Sequence, residues 1–123
     1  MAKAMIVDDA PFMRLVVKNI MLELGLEVVG EASTGEEAAK LYPIVKPDIV
    51  TMDITMPDMN GIEAVQQIMK LDPAAKIIMC SAIGQHRMVL DAIHAGAKDF
   101  VVKPIEKKRF IESVVCVLKL NKE

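Results

Sequence analysis

The chain has 123 residues, with 15 Lys+Arg against 17 Asp+Glu and a formal net charge of −2. That length fits one domain over 1–123, and the near-neutral balance argues against a general nucleic-acid binder, which presents a basic face. Hydrophobic residues make up 53%, enough for a real core and too many for a disordered chain, and no run approaches the ~18 apolar residues of a membrane span.

The opening Met1-Ala2-Lys3-Ala4-Met5-Ile6-Val7 run stops at Asp8-Asp9. It is too short for the apolar segment of a signal peptide. Cys80 and Cys116 sit among Val, Ile and Met and read as small buried hydrophobes rather than a disulfide framework, so a reduced, cytoplasmic protein is expected.

In chain order, short apolar runs alternate with helical patterns. Ala4–Val7, Glu27–Ala32, Ile49–Met52, Ile77–Cys80 and Phe100–Val102 read as strands. Most do not alternate with polar residues, which is how strands buried on both faces of a parallel sheet look. Glu27–Ala32 is the most polar and belongs at an edge. Helices are predicted over Pro11–Leu24, with Gly25 as the residue past its end, and from a Thr34/Glu37 capping pair. Others follow over Gly61–Leu71 behind Asn60, over Gln85–Ala95 and over Lys107–Leu120. Pro43 falls inside the second helical pattern, which either kinks there or stops near Leu41.

Five strand–helix repeats imply a three-layer α/β sandwich with right-handed crossovers. In such sheets ligands bind beyond the carboxyl ends of the strands. Those ends carry Asp8 and Asp9, Asp53, Ser81, and Lys103-Pro104. Two carboxylates ~5 Å apart repel by roughly 3 kcal/mol at an effective dielectric near 20. Lys103 alone does not balance three of them. An all-oxygen ligand set suits Mg²⁺. Mg²⁺ beside a carboxylate and an ammonium is an arrangement for phosphoryl transfer, with Asp53 as the natural acceptor because it stands alone on the central strand.

Nucleotide-binding glycine motifs are absent. The six glycines are never closer than five apart, so no G-x-G-x-x-G exists. A phosphatase of the haloacid-dehalogenase type needs a second acid two residues after the first. Ala10 and Pro11 stand at those places.

The ordered set Ile6-Val7-Asp8-Asp9, Asp53-Ile54-Thr55-Met56-Pro57-Asp58-Met59-Asn60-Gly61, Ser81-Ala82 and Phe100-Val101-Val102-Lys103-Pro104 resembles the receiver domain of two-component response regulators. The likeness covers essentially the whole chain and is greatest to the single-domain chemotaxis regulators. It implies a flavodoxin-like five-stranded parallel sheet in the order 2-1-3-4-5 with five helices. It implies a signalling switch rather than an enzyme, with Asp53 taking a phosphoryl group from a histidine kinase. The alternative within the family is a phosphorelay intermediate.

By the same resemblance, Asp9, Asp53 and the Thr55 carbonyl bind Mg²⁺ directly and Asp8 acts partly through water. Lys103 pairs with the phosphoryl oxygens, Ser81 donates its hydroxyl to them, and Phe100 is the rotating aromatic of the switch. The Lys103–Pro104 bond is cis, and a downstream target (motor switch or adaptor) docks on helix 4, strand 5 and helix 5. Two positions depart from the commonest pattern. Ser81 replaces a frequent Thr and keeps the hydroxyl. Phe100 replaces a frequent Tyr and loses one.

Simpler readings stand beside these. Taken one at a time, Asp9 reads as the cap of the helix at Pro11, Ser81 as a strand-end cap, Lys103 as a solvated side chain and Phe100 as packed core, and the constellation outweighs the first of these. His86 and His94 invite a metal reading, but a helix end accounts for His94.

Overall fold

The computed structural model describes residues 2–56 and 59–119. Ten elements alternate without exception: β1 (Lys3–Val7), α1 (Pro11–Glu23), β2 (Glu27–Ala32), α2 (Gly35–Val45), β3 (Ile49–Asp53), α3 (Gly61–Leu71), β4 (Ile77–Ser81), α4 (His86–Ala95), β5 (Asp99–Val102) and α5 (Lys107–Lys119). The strands form one parallel sheet in the order β2-β1-β3-β4-β5. The edge position expected for the polar second strand is the one it occupies.

β3 and β4 are buried at every position because helices cover both faces of the sheet. One core packs α2, α3 and α4 against Met5, Val7, Val50, Met52, Ile77 and Met79. The other packs α1 and α5 against Ala4, Ile6, Ile49, Ile78 and Cys80. This is the predicted three-layer sandwich.

Local signals set the helix starts. The Glu37 N–H donates to Thr34 Oγ1 (3.1 Å), and Glu37 Oε1 in turn accepts from the Ser33 N–H (2.8 Å), one residue further back than a simple capping box. The Glu63 N–H donates to Asn60 Oδ1 (3.0 Å) at the start of α3. Gly25 takes φ +82° beyond α1, the left-handed geometry expected of it.

Four expectations are corrected. α2 does not stop near Leu41 but runs through Pro43 to Val45, because Pro43 lies in the last turn and forfeits a single ladder bond. Gln85 precedes α4 as its cap residue rather than opening it. The cap of α1 is Ala10, so Asp9 does not cap that helix. Cys80 is buried, but Cys116 is exposed: the inward residues of α5 are Phe110, Ser113, Val114 and Val117, and position 116 is out of phase with them. Pro57 and Asp58 of the motif and Leu120 of the expected last helix lie outside the described residues.

Lys76 is buried, and its Nζ donates to the Leu118 carbonyl (3.1 Å), placing a cation at the carboxyl end of α5. Among the described residues, Thr51 Oγ1 is the one buried side-chain polar atom without a hydrogen-bond partner. Thr51→Val is therefore expected to stabilise the fold by about 1 kcal/mol, a rise of about 3–6 °C in melting temperature. A lower melting temperature would show that the hydroxyl has a buried partner such as water.

Candidate functional site

Strand order reverses at β1, whose neighbours are β2 on one side and β3 on the other. The crevice at that reversal opens over the carboxyl ends of β1 and β3, where Asp8, Asp9 and Asp53 stand. One carboxylate oxygen from each lies within 4.8 Å of the others. Asp8 and Asp53 are buried and Asp9 is exposed.

Lys103 reaches this pocket from the end of β5. Its Nζ lies 2.9 Å from Asp8 Oδ2 and 3.3 Å from Asp53 Oδ1. Its backbone N–H donates to the Ser81 carbonyl (2.6 Å), tying the ends of β4 and β5 together, and the Lys103–Pro104 bond is cis. Lys103 is thus a bridging cation and not a solvated side chain. Burial alone would lower its pKa, but the hydrogen bond it donates to Asp8 and the charges of Asp53 and Asp8 outweigh that and raise it.

The carboxylates differ in how they are held. Asp8 Oδ1 accepts from the Ala10 N–H (2.9 Å), Oδ2 takes Lys103, and the Asp8 carbonyl accepts from Arg14 Nη1 (2.6 Å). Asp53 is pushed up from 3.8 to about 6, first by burial and then by the Asp8 charge, against the opposing pull of Lys103 and the Thr55 N–H. An acid held this far up is one whose negative charge lacks compensation. The donor set is all oxygen, close-spaced and short of cations, and it fits a hard divalent ion such as Mg²⁺.

The β3–α3 corner forces close contact. A Cβ at Gly61 would overlap the Asp53 carbonyl oxygen and sit 2.9 Å from Ile54 Cα. Glycine here lets α3 start directly against the strand that carries Asp53. Thr55 lies exposed in the following loop.

Ser81 ends β4 and is buried. It shares a cavity of about 230 Å³ with Val89, Phe100 and Val102. Phe100 is half-buried and packs against the core on the α2–α4 side, so the packing reading of this residue holds whatever else it does. Its carbonyl accepts from Arg109 Nη2 (2.7 Å). Asp99 beside it binds Ser113 Oγ (2.6 Å) and Arg109. Burial would raise its pKa, but these bonds and the Phe100 N–H bring it below the ordinary range.

Asp8, Asp9, Asp53 and Lys103 therefore meet as predicted, with Ser81 on the adjoining strand end and Phe100 across the cavity. Arg14 and Gln85 were missed. Arg14 reads in sequence as an ordinary charged residue of α1, and Gln85 as one of its helix. His86 and His94 are both exposed and lie outside the acidic group.

A family model for the response regulator receiver domain matches residues 4–115. The chain belongs to the response regulator receiver family. Similar receivers include the chemotaxis protein CheY of Thermotoga maritima, 59% identical over 112 residues, covering 91% of this chain and 93% of the relative. CheY of Listeria monocytogenes is 60% identical over 114 residues, covering 93% and 96%. Among solved structures, the CheX–CheY–BeF3–Mg²⁺ complex from Borrelia burgdorferi matches with a TM-score of 0.90 at 38% identity, covering 94% of this chain and 88% of that one. The receiver is a two-component response regulator of the CheY chemotaxis type. Receivers bind Mg²⁺ through an acidic pocket, and Asp8, Asp9 and Asp53 form one here. CheY-like receivers interact with histidine kinases and downstream targets. No helix among the described residues is long and apolar enough to cross a membrane.

Proposed function

We propose that the whole chain, 1–123, is one receiver domain whose Asp53 accepts a phosphoryl group from a histidine kinase in the cytoplasm. The observation that carries this is Lys103 Nζ seated between Asp8 and Asp53 with Asp9 alongside. An Asp53 carboxylate oxygen attacks the phosphorus of a phosphohistidine. The O–P bond of an acyl phosphate forms, the P–N bond breaks, and its electron pair returns to the imidazole, which takes up a proton. Asp9, Asp53 and the Thr55 carbonyl are the residues that would hold Mg²⁺ directly, with Asp8 acting partly through water. The ion supplies charge neutralisation on the transferring group.

Lys103 then pairs with a phosphoryl oxygen and the Ser81 hydroxyl donates to another. Two charge-assisted hydrogen bonds provide about 3–6 kcal/mol gross. Taking a two-state equilibrium from 1:99 to 99:1 needs roughly 5.5 kcal/mol. Binding of the target completes the shift, so the protein acts as a switch and not as a turnover enzyme.

The readout face is α4, β5 and α5. It displays Leu90, Ile93, Val102 and Val115 as exposed apolar residues, and Phe100 links it to Ser81 through the shared cavity. A motor-switch or adaptor protein is the expected target. Pulldowns with Mg²⁺, with and without beryllofluoride as phosphoryl mimic, test this. A protein retained with the mimic, and lost when Leu90 is changed to Asp, is the expected result. Equal retention without the mimic would overturn it.

A further inference from the structure

One carboxamide joins the two loops that follow Asp53 and Ser81. Gln85 Oε1 accepts from the Ala82 N–H (2.7 Å), and Gln85 Nε2 donates to Thr55 Oγ1 (2.7 Å). Ala82 directly follows Ser81, and Thr55 lies two residues beyond Asp53. The Gln85 N–H also donates to the Ala82 carbonyl (3.3 Å), closing 82–85 into a turn. Packing does little for that turn. Ile83 is 83% exposed, and Gly84, at φ +93°, has open space where a Cβ would stand. The cavity of about 230 Å³ beneath it leaves room for the loop to move.

We infer that Gln85 is a latch for the unphosphorylated state, a positioning residue that holds the β4–α4 loop to the β3–α3 loop until a phosphoryl group draws Ser81 inward. The inference rests on Asp53 as the acceptor. Closing on a group attached to Asp53 by a shift of the β4–α4 loop carries the planar Ser81–Ala82 peptide along with the Ser81 side chain. That motion pulls the Ala82 N–H away from Gln85 Oε1 or drags the carboxamide off Thr55. A contact made in one state and lost in the other biases the equilibrium toward the first by its own free energy. Removing the latch therefore favours the phosphoryl-bound form.

The test is beryllofluoride titration of the full chain in Mg²⁺, followed by ¹⁹F NMR, with thermal melts of each unliganded variant. Gln85→Ala is expected to bind the mimic roughly fivefold more tightly, the factor for one net hydrogen bond. Its unliganded melting temperature is equal or lower. A residue with only a structural role would weaken or leave unchanged the binding of the mimic, so the sign separates the two. Thr55→Val keeps the backbone groups of residue 55 and loses only the hydroxyl. It should tighten binding in the same direction by less, and the double variant should match Gln85→Ala. Amide exchange at Ala82 should be slow in the wild type and in Gln85→Glu, whose carboxylate still accepts from that N–H, and faster in Gln85→Ala. Unchanged or weaker binding by Gln85→Ala overturns the latch alone. Failure of the wild type to bind the mimic overturns the Asp53 reading and the latch with it.

Discussion

Asp53→Asn is expected to abolish labelling by acetyl phosphate in Mg²⁺ and, at the same time, to make the metal-free protein more stable above about pH 6. The first effect is chemical, since a carboxamide offers no carboxylate oxygen to form the acyl phosphate. The second follows from the pKa of Asp53, raised from 3.8 to about 6 by burial and by Asp8. Between those values the folded chain keeps a proton that the unfolded chain has released. The contribution of Asp53 to stability therefore falls as pH rises through this window, and above it the folded state carries the full penalty.

The asparagine variant has no such term, so its advantage over wild type should be near zero at about pH 4 and grow to a plateau above about pH 6. Water at the rim screens the pocket, which limits the gain to about 1–2 kcal/mol, or about 3–12 °C. Paired thermal melts across that range, without metal, measure it. A variant that still takes label, or one less stable than wild type at pH 8, would count against Asp53 as a strained acceptor.

Lys103→Met has the opposite expected effect on the metal-free fold. The ammonium is the cation shared by Asp8 and Asp53, with 22% of its side chain exposed. Removing one partner of a fully buried pair costs about 3–5 kcal/mol. Partial exposure brings the expectation here to about 2 kcal/mol at neutral pH. Because Lys103 has its pKa raised above 10.5, its stabilisation is present throughout the neutral range and is lost only as pH climbs through the raised value.

Two treatments should rescue the variant: acidification, which neutralises the orphaned carboxylates, and millimolar Mg²⁺, which replaces the missing charge. Asp53 should still accept a phosphoryl group, yet phosphorylation should no longer raise affinity for the target. Thermal melts with and without Mg²⁺, and the pulldown with the beryllium mimic, read the two halves separately. Retention of the full gain in target affinity would remove Lys103 from the coupling.

The fold also divides two residues that sequence treats alike. From the Asp8-Asp9 pair alone, neutralising either acid relieves repulsion. In the fold, Asp8 is buried, bound to Lys103 and to the Ala10 N–H, whereas Asp9 is exposed on the open side of the cluster. Only the second is free to lose its charge without breaking an ion pair.

The strands, most of the helix starts and stops and the acidic rim were legible in the residues because their causes are local. An unbroken Val/Ile/Met run needs cover on both faces, Thr34 and Asn60 satisfy amides three residues on, and Gly25 relaxes a left-handed turn. Contacts between distant segments were not legible. Asp8 meets Lys103 across 95 positions, Lys76 reaches Leu118 across 42, and Gln85 meets Thr55 across 30. Such pairs depend on the strand order and on which rotamers the packed helices leave open, and no periodicity encodes either. The same reason separates Cys80 from Cys116: local composition matches, but Cys80 lies in a strand covered on both faces and Cys116 on the outward side of α5. Topology brought the charges to one rim, and the folded geometry alone decided which acid holds the lysine and which glutamine ties the loops.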